Sequence, residues 1–508
     1  MRGRRDGQRD RPGAALTDTR PGTRTSPAAT PDAAPVPRGL VAALAFAALT
    51  GAVVAGLGSP IVLEVAHQTS VSIEAAQWTL TIALVIGVVA TPVLSRLGDG
   101  HRTRGVLVGA LLGVGAGSAV AALVPTFSGL LVGRALQGLG YAMVPLTVAI
   151  ARLHLTGRRL VGTLAVLSTS VAVGVGLGNP VMGLVVLVAN YRAAFLIALV
   201  VAVAGALWIW RVVPPQRPGD APVRLDVGGA CLLGVVLAST LLAVAKGQSW
   251  GWTSPGVIGL GAVGIVALAG WVWVELTHRS PLVDLRLACA RGVLGVNVAA
   301  VLLGFSVFGG VAAMILLIER PTTDGVGLGH SVFVNGLLMI PMSVATLLSP
   351  PVSRWVIRHT GMRFVLPAGS LAMAASFTFF AVAHSATWHI LASMTLMGFG
   401  IGVAYAVMPL LIIERTPAER TASATGINQV LRLMGGAVGA AVVAAVLAAH
   451  VPQGQLNPDE SGYVAAAVVA VALGVVAAVV AYVMVPANDV SRDADEPGPN
   501  PSTVSPVT

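Results

Sequence analysis

The sequence predicts an all-α polytopic membrane protein: two six-helix halves with two further helices inserted between them. Three observations carry that prediction. Only 10% of the 508 residues are charged while 55% are hydrophobic, at a mean hydropathy of +0.84. Soluble domains carry about 25% charged residues, so a water-facing shell cannot be built from this chain. Fourteen runs are apolar enough to cross hydrocarbon, which takes about 20 residues each. The basic residues, finally, fall almost wholly in alternate loops.

The runs lie near 39–63, 75–95, 105–124, 126–151, 160–188, 193–213, 226–246, 254–276, 292–318, 331–352, 363–383, 386–413, 421–449 and 462–485. Membrane strands would alternate polar and apolar residues over about 10 positions. These runs are uniformly apolar and are read as helices. Residues 1–37 are rich in Arg, Pro, Thr and Ala and cannot bury a core, which predicts a disordered tail. The first run is too long for a cleaved signal peptide. Residues 38–213 then make an N-terminal six-helix half, 214–290 a linker and the inserted pair, 291–485 a C-terminal six-helix half, and 486–508 a second disordered tail.

The net charge of +10 is not a nucleic-acid signature, because the 31 basic residues are scattered in short loops. With the N-terminus inside, the N-tail, the loops after even-numbered runs and the C-tail hold all but five of them. Arg192, Lys246 and Arg320 fall outside, and Arg134 and Arg432 lie within runs. This bias places both termini in the cytoplasm of a multi-pass cell-membrane protein. Trp208, Trp210, Trp250, Trp252, Trp271 and Trp273 sit at run ends, where interfacial anchors belong. Cys231 and Cys289 have neither metal-ligand spacing nor a disulfide framework.

An internal repeat supports the two halves. Thr91-Pro92-Val93-Leu94-Ser95-Arg96 aligns with Ser349-Pro350-Pro351-Val352-Ser353-Arg354. Gly138, Tyr141, Ala142 and Pro145 align with Gly402, Tyr405, Ala406 and Pro409 at nearly the same offset. Parallel halves of this kind place a substrate path between them.

Four stretches carry chemistry. In the loop after run 2, Asp99 is a lone carboxylate among Arg96, Arg102 and Arg104; such a group can face a partner Arg or a helix N-terminus, in a contact made in one conformational state and broken in another. A topogenic loop with one incidental acid is the plainer reading. In run 4, Arg134 lies about eight residues from the nearer end, too deep for easy snorkelling, with Gln137 and Gly138 beside it. A charge there costs at least about 2.5–3.5 kcal/mol and should face protein or water. In run 5, Gly174 and Gly178 form a small-xxx-small face, and Pro180 predicts a kink. In run 13, Arg432 is a second buried base, with Asn428 on the same face. Every acid lies in a loop, a tail or at a run end, so no mid-membrane carboxylate is available to carry a proton. Glu64, Asp226 and Glu319 come nearest.

Together these residues resemble the major facilitator superfamily and, more narrowly, its fourteen-span drug:proton antiporter branch of multidrug efflux transporters. Arg134–Gln137–Gly138 is similar to the family's run-4 motif, and Gly178-Asn179-Pro180 to the antiporter motif of run 5, with Asn179 interrupting the usual Gly-Pro pair. Tyr191-Arg192-Ala193-Ala194-Phe195, Pro281-Leu282-Val283-Asp284-Leu285 and the run from Asn428 to Gly436 are similar to further family segments. The resemblance implies that Asp99 and its arginines form a cytoplasmic latch, that Arg134 takes part in a proton relay, and that Gly174–Gly183 is a pivot. The loop copy after run 10 departs from the pattern, with Ile357 where its Asp would fall.

The expected function is export of hydrophobic small molecules such as drugs or antibiotics, by alternating access in exchange for protons. A facilitator for an endogenous metabolite, importing or exporting, is the alternative. Phe305, Phe308, Met339, Met342, Tyr405 and Met408 are candidate pocket residues, with ordinary helix packing the competing reading. Arg134 and Arg432 without a nearby acid favour neutral or anionic substrates. No cofactor or metal is expected, the proton gradient being the energy source. The partners are the substrate, protons and the bilayer, with no nucleic acid, and the chain is expected to be a monomer. The nine His are dispersed, which argues against an enzyme.

Overall fold

The computed structural model describes residues 37–485 apart from 57–61, 100–101, 216–225, 279–280, 323–325 and 453–456, together with the side chains of most positions in that range. The helices are α1 (Leu40–Gly56), α2 (Val62–Thr69), α3 (Ile73–Leu97), α4 (Thr103–Leu123), α5 (Phe127–Gln137), α6 (Met143–His154), α7 (Gly157–Val188), α8 (Tyr191–Val212), α9 (Val227–Trp250) and α10 (Pro255–Thr277), followed by α11 (Leu285–Ala288), α12 (Arg291–Glu319), α13 (Val332–Leu338), α14 (Ile340–Leu347), α15 (Ser349–Thr360), α16 (Val365–Val382), α17 (Thr387–Ile413), α18 (Thr421–Ala449) and α19 (Glu460–Met484). There is no strand among the described residues.

Helix starts follow local chemistry. Thr126, Asn190, Asp226, Ser254 and Asp459 each accept a backbone N–H from three residues on, satisfying a donor the first turn leaves free. Two apolar runs are helical in pieces. Run 4 passes from α5 to α6 through a 3₁₀ turn, Gly138–Ala142. Run 10 divides into α13, α14 and α15, because Pro341 and Pro350 open α14 and α15 and supply no backbone donor. The short helices α2 and α11 have no counterpart among the predicted runs.

Among the described residues, twelve helical spans are long and apolar enough to cross a membrane. At 17 residues, Leu40–Gly56 is shorter than these, and the 32-residue Gly157–Val188 is not one of the twelve. The outward faces agree with a lipid setting: α10 leaves Ile265, Val266 and Trp273 about 70% exposed, which costs nothing when the surrounding medium is as apolar as the side chains. Of the six tryptophans predicted as interfacial anchors, five are exposed. The sixth, Trp271, instead packs into a buried cluster with Leu233, Leu282 and Val283, because the segment after α10 folds back over it.

Within 38–213, α1 packs on α7 and α8, and α4 on α5 and α8; within 291–485, α12 packs on α18 and α19, and α16 on α17 and α19. The pair α9 and α10 pack on each other, with α9 reaching α3 and α18. The two stretches meet where α18 lies against α3 and α6, and where α7 lies against α14 and α17.

Candidate functional site

Arg134 is 1% exposed, and its position on α5 brings four helices together. Its Nε donates to the Thr79 carbonyl of α3 at 2.9 Å, and Nη1 donates to the Val54 carbonyl of α1 at 3.3 Å and to Gln137 Oε1 at 2.7 Å. Gln137 in turn donates to the Ser118 hydroxyl of α4 at 2.8 Å, and Ser118 to the Val114 carbonyl. The guanidinium is thus solvated by backbone oxygens and an amide rather than by a carboxylate, which is how a charge deep in hydrocarbon becomes tolerable. Gly138 makes the approach possible: a Cβ there would stand 2.6 Å from the Ala83 carbonyl oxygen of α3.

Asp99 occupies the other predicted motif. Gly98 ends α3, and the Asp99 carboxylate turns onto the first turn of α18. The Ser423 N–H donates to Oδ1 at 3.1 Å and the Ser423 hydroxyl donates to Oδ2, while Arg96 Nη1 stands 3.4 Å from Oδ2. A carboxylate at a helix N-terminus is favoured by the unpaired N–H groups there. Burial nevertheless pushes the Asp99 carboxyl up to about 7, against the lowering influence of the Ser423 N–H and Arg96. Of the other loop arginines, Arg104 donates to the Trp210 carbonyl and Arg102 is exposed. The same turn of α18 receives Arg152 of α6, which donates to the Thr421 hydroxyl at 2.9 Å, and Arg420 pairs with Asp284. A crevice beside it is bounded by Arg96, Asp284, Asn297, Arg420 and Ser423.

Arg432 is half-buried on α18 and its guanidinium carbon lies 4.4 Å from the centre of the Tyr405 ring on α17. Its Nη2 donates to Gln429, one turn back. Asn428, predicted to share its face, instead turns to α12, donating to Asn297 Oδ1 at 3.1 Å. Gly174 and Gly178 face α1: a Cβ on Gly174 would stand 2.6 Å from the Ala52 Cβ. The helix runs unbroken through position 180, and the predicted role of the Pro180 side chain lies outside the described residues.

Four of the six pocket candidates lie in or against one buried core, and the other two lie on α12. Met339, Met342 and Met408 belong to the buried core of 291–485, with Tyr405 packed at its edge. On α12, the Phe305 backbone is pressed against Gly439, and Phe308, 47% exposed, lies on Gly436. Sequence reasoning missed Ser423, Thr79, Val54 and Gln429. Thr79 and Val54 act through backbone carbonyls and Ser423 partly through its N–H, groups that no side-chain pattern marks. It also missed the burial of Glu275, which accepts the Val283 N–H at 3.1 Å. The three acids nearest to hydrocarbon have partners: Gln68 for Glu64, Gly229 and His278 for Asp226, Asn335 for Glu319.

Comparison with known proteins agrees with this arrangement. The model of the Major Facilitator Superfamily matches residues 41–440. The chain belongs to that superfamily. It is 24% identical over 426 residues to the multidrug transporter protein MdtP of Bacillus subtilis (strain 168), covering 83% of this chain and 76% of that protein. It is 27% identical over 418 residues to the tetracenomycin C resistance and export protein of Streptomyces glaucescens, covering 81% and 75%. Among solved structures, the human organic anion transporter MFSD10 shares the fold, with a TM-score of 0.58 at 18% identity over 87% of this chain and 99% of that one. This major facilitator is accordingly a multi-pass membrane transporter and not an enzyme.

Proposed function

We propose that the chain exports hydrophobic small molecules in exchange for protons, by alternating access between residues 38–213 and 291–485. The observation that carries this reading is the grip of the Asp99 carboxylate on the first turn of α18, a contact between the two stretches that depends on one ionisable group. Relatives named for multidrug transport and for tetracenomycin C resistance and export support it. In this reading Asp99 and Arg96 are a cytoplasmic latch, Arg134 with Gln137 and Gly138 holds the membrane-embedded charge that proton coupling requires, and the stretch with Gly174, Gly178 and Pro180 is the pivot, its two glycines facing α1.

We further propose fourteen spans, α1 and α7 joining the twelve, with both termini in the cytoplasm and the protein a monomer in the cell membrane. The helices α1 and α7 overlap the first and fifth apolar runs, and an even count agrees with the charge bias of the loops.

The test is transport in proteoliposomes of the full chain under an imposed pH gradient. Accumulation of a hydrophobic dye driven by the gradient, and abolished when a protonophore collapses it, is expected. Downhill flux indifferent to the gradient would replace antiport with facilitation. Reporter fusions at the two ends, expected on the same side, test the orientation.

A further inference from the structure

We propose that Arg432, held on the ring of Tyr405, is the contact point for an anionic group on the exported molecule; this assigns a substrate class to the export reading above and rests on it. Three observations meet at this residue. The first is its hydrogen bonding. A guanidinium has five N–H donors. Among the described residues Arg432 uses one, to Gln429, and none of the ion pairs there includes it. The second is its access. Arg134 is sealed at 1% exposure, whereas Arg432 is only half-buried, so it is the less enclosed of the two. The third is its geometry. Its guanidinium carbon lies 4.4 Å from the centre of the Tyr405 ring, within cation–π range, a contact that occupies none of the N–H donors by hydrogen bonding.

The stack is firmly mounted. A Cβ on Gly304 of α12 would stand 2.1 Å from the Arg432 carbonyl oxygen, so the backbone behind the side chain is clamped. On the far side Ser168 of α7 donates to the Tyr405 carbonyl at 3.4 Å, which places the pair where α7 meets α17. The Tyr405 hydroxyl is buried and has no hydrogen-bond partner, a second polar group that an incoming ligand can satisfy.

The chemistry that fits is a planar or tetrahedral oxyanion carried on an apolar body. Two parallel N–H donors match the two oxygens of a carboxylate, sulfonate or phosphate ester. Phe308, resting on Gly436 one turn along α18, supplies apolar surface near the charge. A cationic head is repelled by an unpaired guanidinium.

Matched pyrene probes separate the possibilities: pyrenebutyrate, pyrenebutanol and a pyrenylbutyl-trimethylammonium share one body and differ in head charge. Their binding to the purified full-length protein is read by pyrene fluorescence, and their transport in proteoliposomes under a pH gradient. The wild type is expected to bind the anion more tightly than the alcohol, and the ammonium least. Arg432→Gln should lower the anion-to-alcohol affinity ratio by about tenfold, and Arg432→Lys by less, since the point charge survives but the fork does not. Equal binding of the three probes by the wild type, or an unchanged ratio in folded Arg432→Gln, would overturn the proposal. Anion-selective binding that depends on Arg432, without gradient-driven transport, would sustain the contact and remove the export reading instead.

Discussion

Arg134 and Arg432 are the same side chain in two comparably apolar spans, yet their surroundings use them differently. Arg134 spends its donors on the Thr79 and Val54 carbonyls and on Gln137, stitching α5 to α1 and α3. Arg432 lies over the ring of Tyr405 and hydrogen-bonds only to Gln429 among the described residues. The repeat explains part of the contrast. At the offset that pairs Tyr141 with Tyr405, Arg134 aligns with Gly398, where a Cβ would stand 2.1 Å from the Met342 carbonyl oxygen. The second half therefore fills that place by close backbone packing and brings its charge from another helix. A buried guanidinium can thus serve as mortar or as a reagent, and the number of acceptors around it decides which.

The largest effect expected from breaking this contrast is at Arg134. Arg134→Leu strands two carbonyls and Gln137, with roughly 1.5–3 kcal/mol at stake for each hydrogen bond to a charged group. The purified protein should melt lower or fail to fold, and gradient-driven transport should disappear. Arg432→Gln should leave the melting curve close to wild type, because a cation–π stack is worth only about 0.5–2 kcal/mol. Comparable melting losses in the two variants would erase the distinction.

Next in size is Gly138→Val. The side chain would meet the Ala83 carbonyl oxygen and the Gly87 nitrogen, and overpacking of this kind costs about 1–3 kcal/mol. Melting and transport should fall together, since α5 can no longer bring Arg134 to α3. Gly174→Val, against Ala52 of α1, should reduce transport more than melting if α7 must slide on α1; equal losses would make it a packing position only.

The smallest expected effect is a pH dependence at the Asp99 contact. Its carboxyl titrates at about 7 when docked on α18, against 3.8 when free. The docked form therefore holds its proton more tightly. The contact is strongest below 3.8, weakens as pH rises toward about 7, and changes little above that. Hydrogen exchange of α18 residues 421–426 should accelerate across this interval in the wild type and stay flat in Asp99→Asn. The matching position, Ile357, lies not in a loop but within α15, packed against the core of 291–485. Ile357→Asn should leave that exchange profile unaltered.

Much of this was legible in the residues. Each predicted run overlaps a helix, because burying backbone donors in hydrocarbon leaves helical hydrogen bonding as the economical solution. Arg134 with Gln137 could be picked out because a charge in an apolar run must be solvated by something. Asp99 could be foreseen on a helix N-terminus, but not on which one: Ser423 is more than three hundred residues away, and an N-terminal turn offers the same backbone groups whatever its sequence. The separation of Asn428 from Arg432 was likewise hidden, as both share a helical face and only the neighbouring helices decide where each turns.

The sequence by itself determined that the chain lives in lipid, that each apolar run carries helix, and where its embedded charges stand, since hydrophobicity and the cost of burying charge act residue by residue. Tertiary structure alone decided which charge is consumed by its neighbours and which stays available. That outcome depends on acceptors contributed by backbone carbonyls and ring faces of distant helices, and these become specific only once the helices have packed.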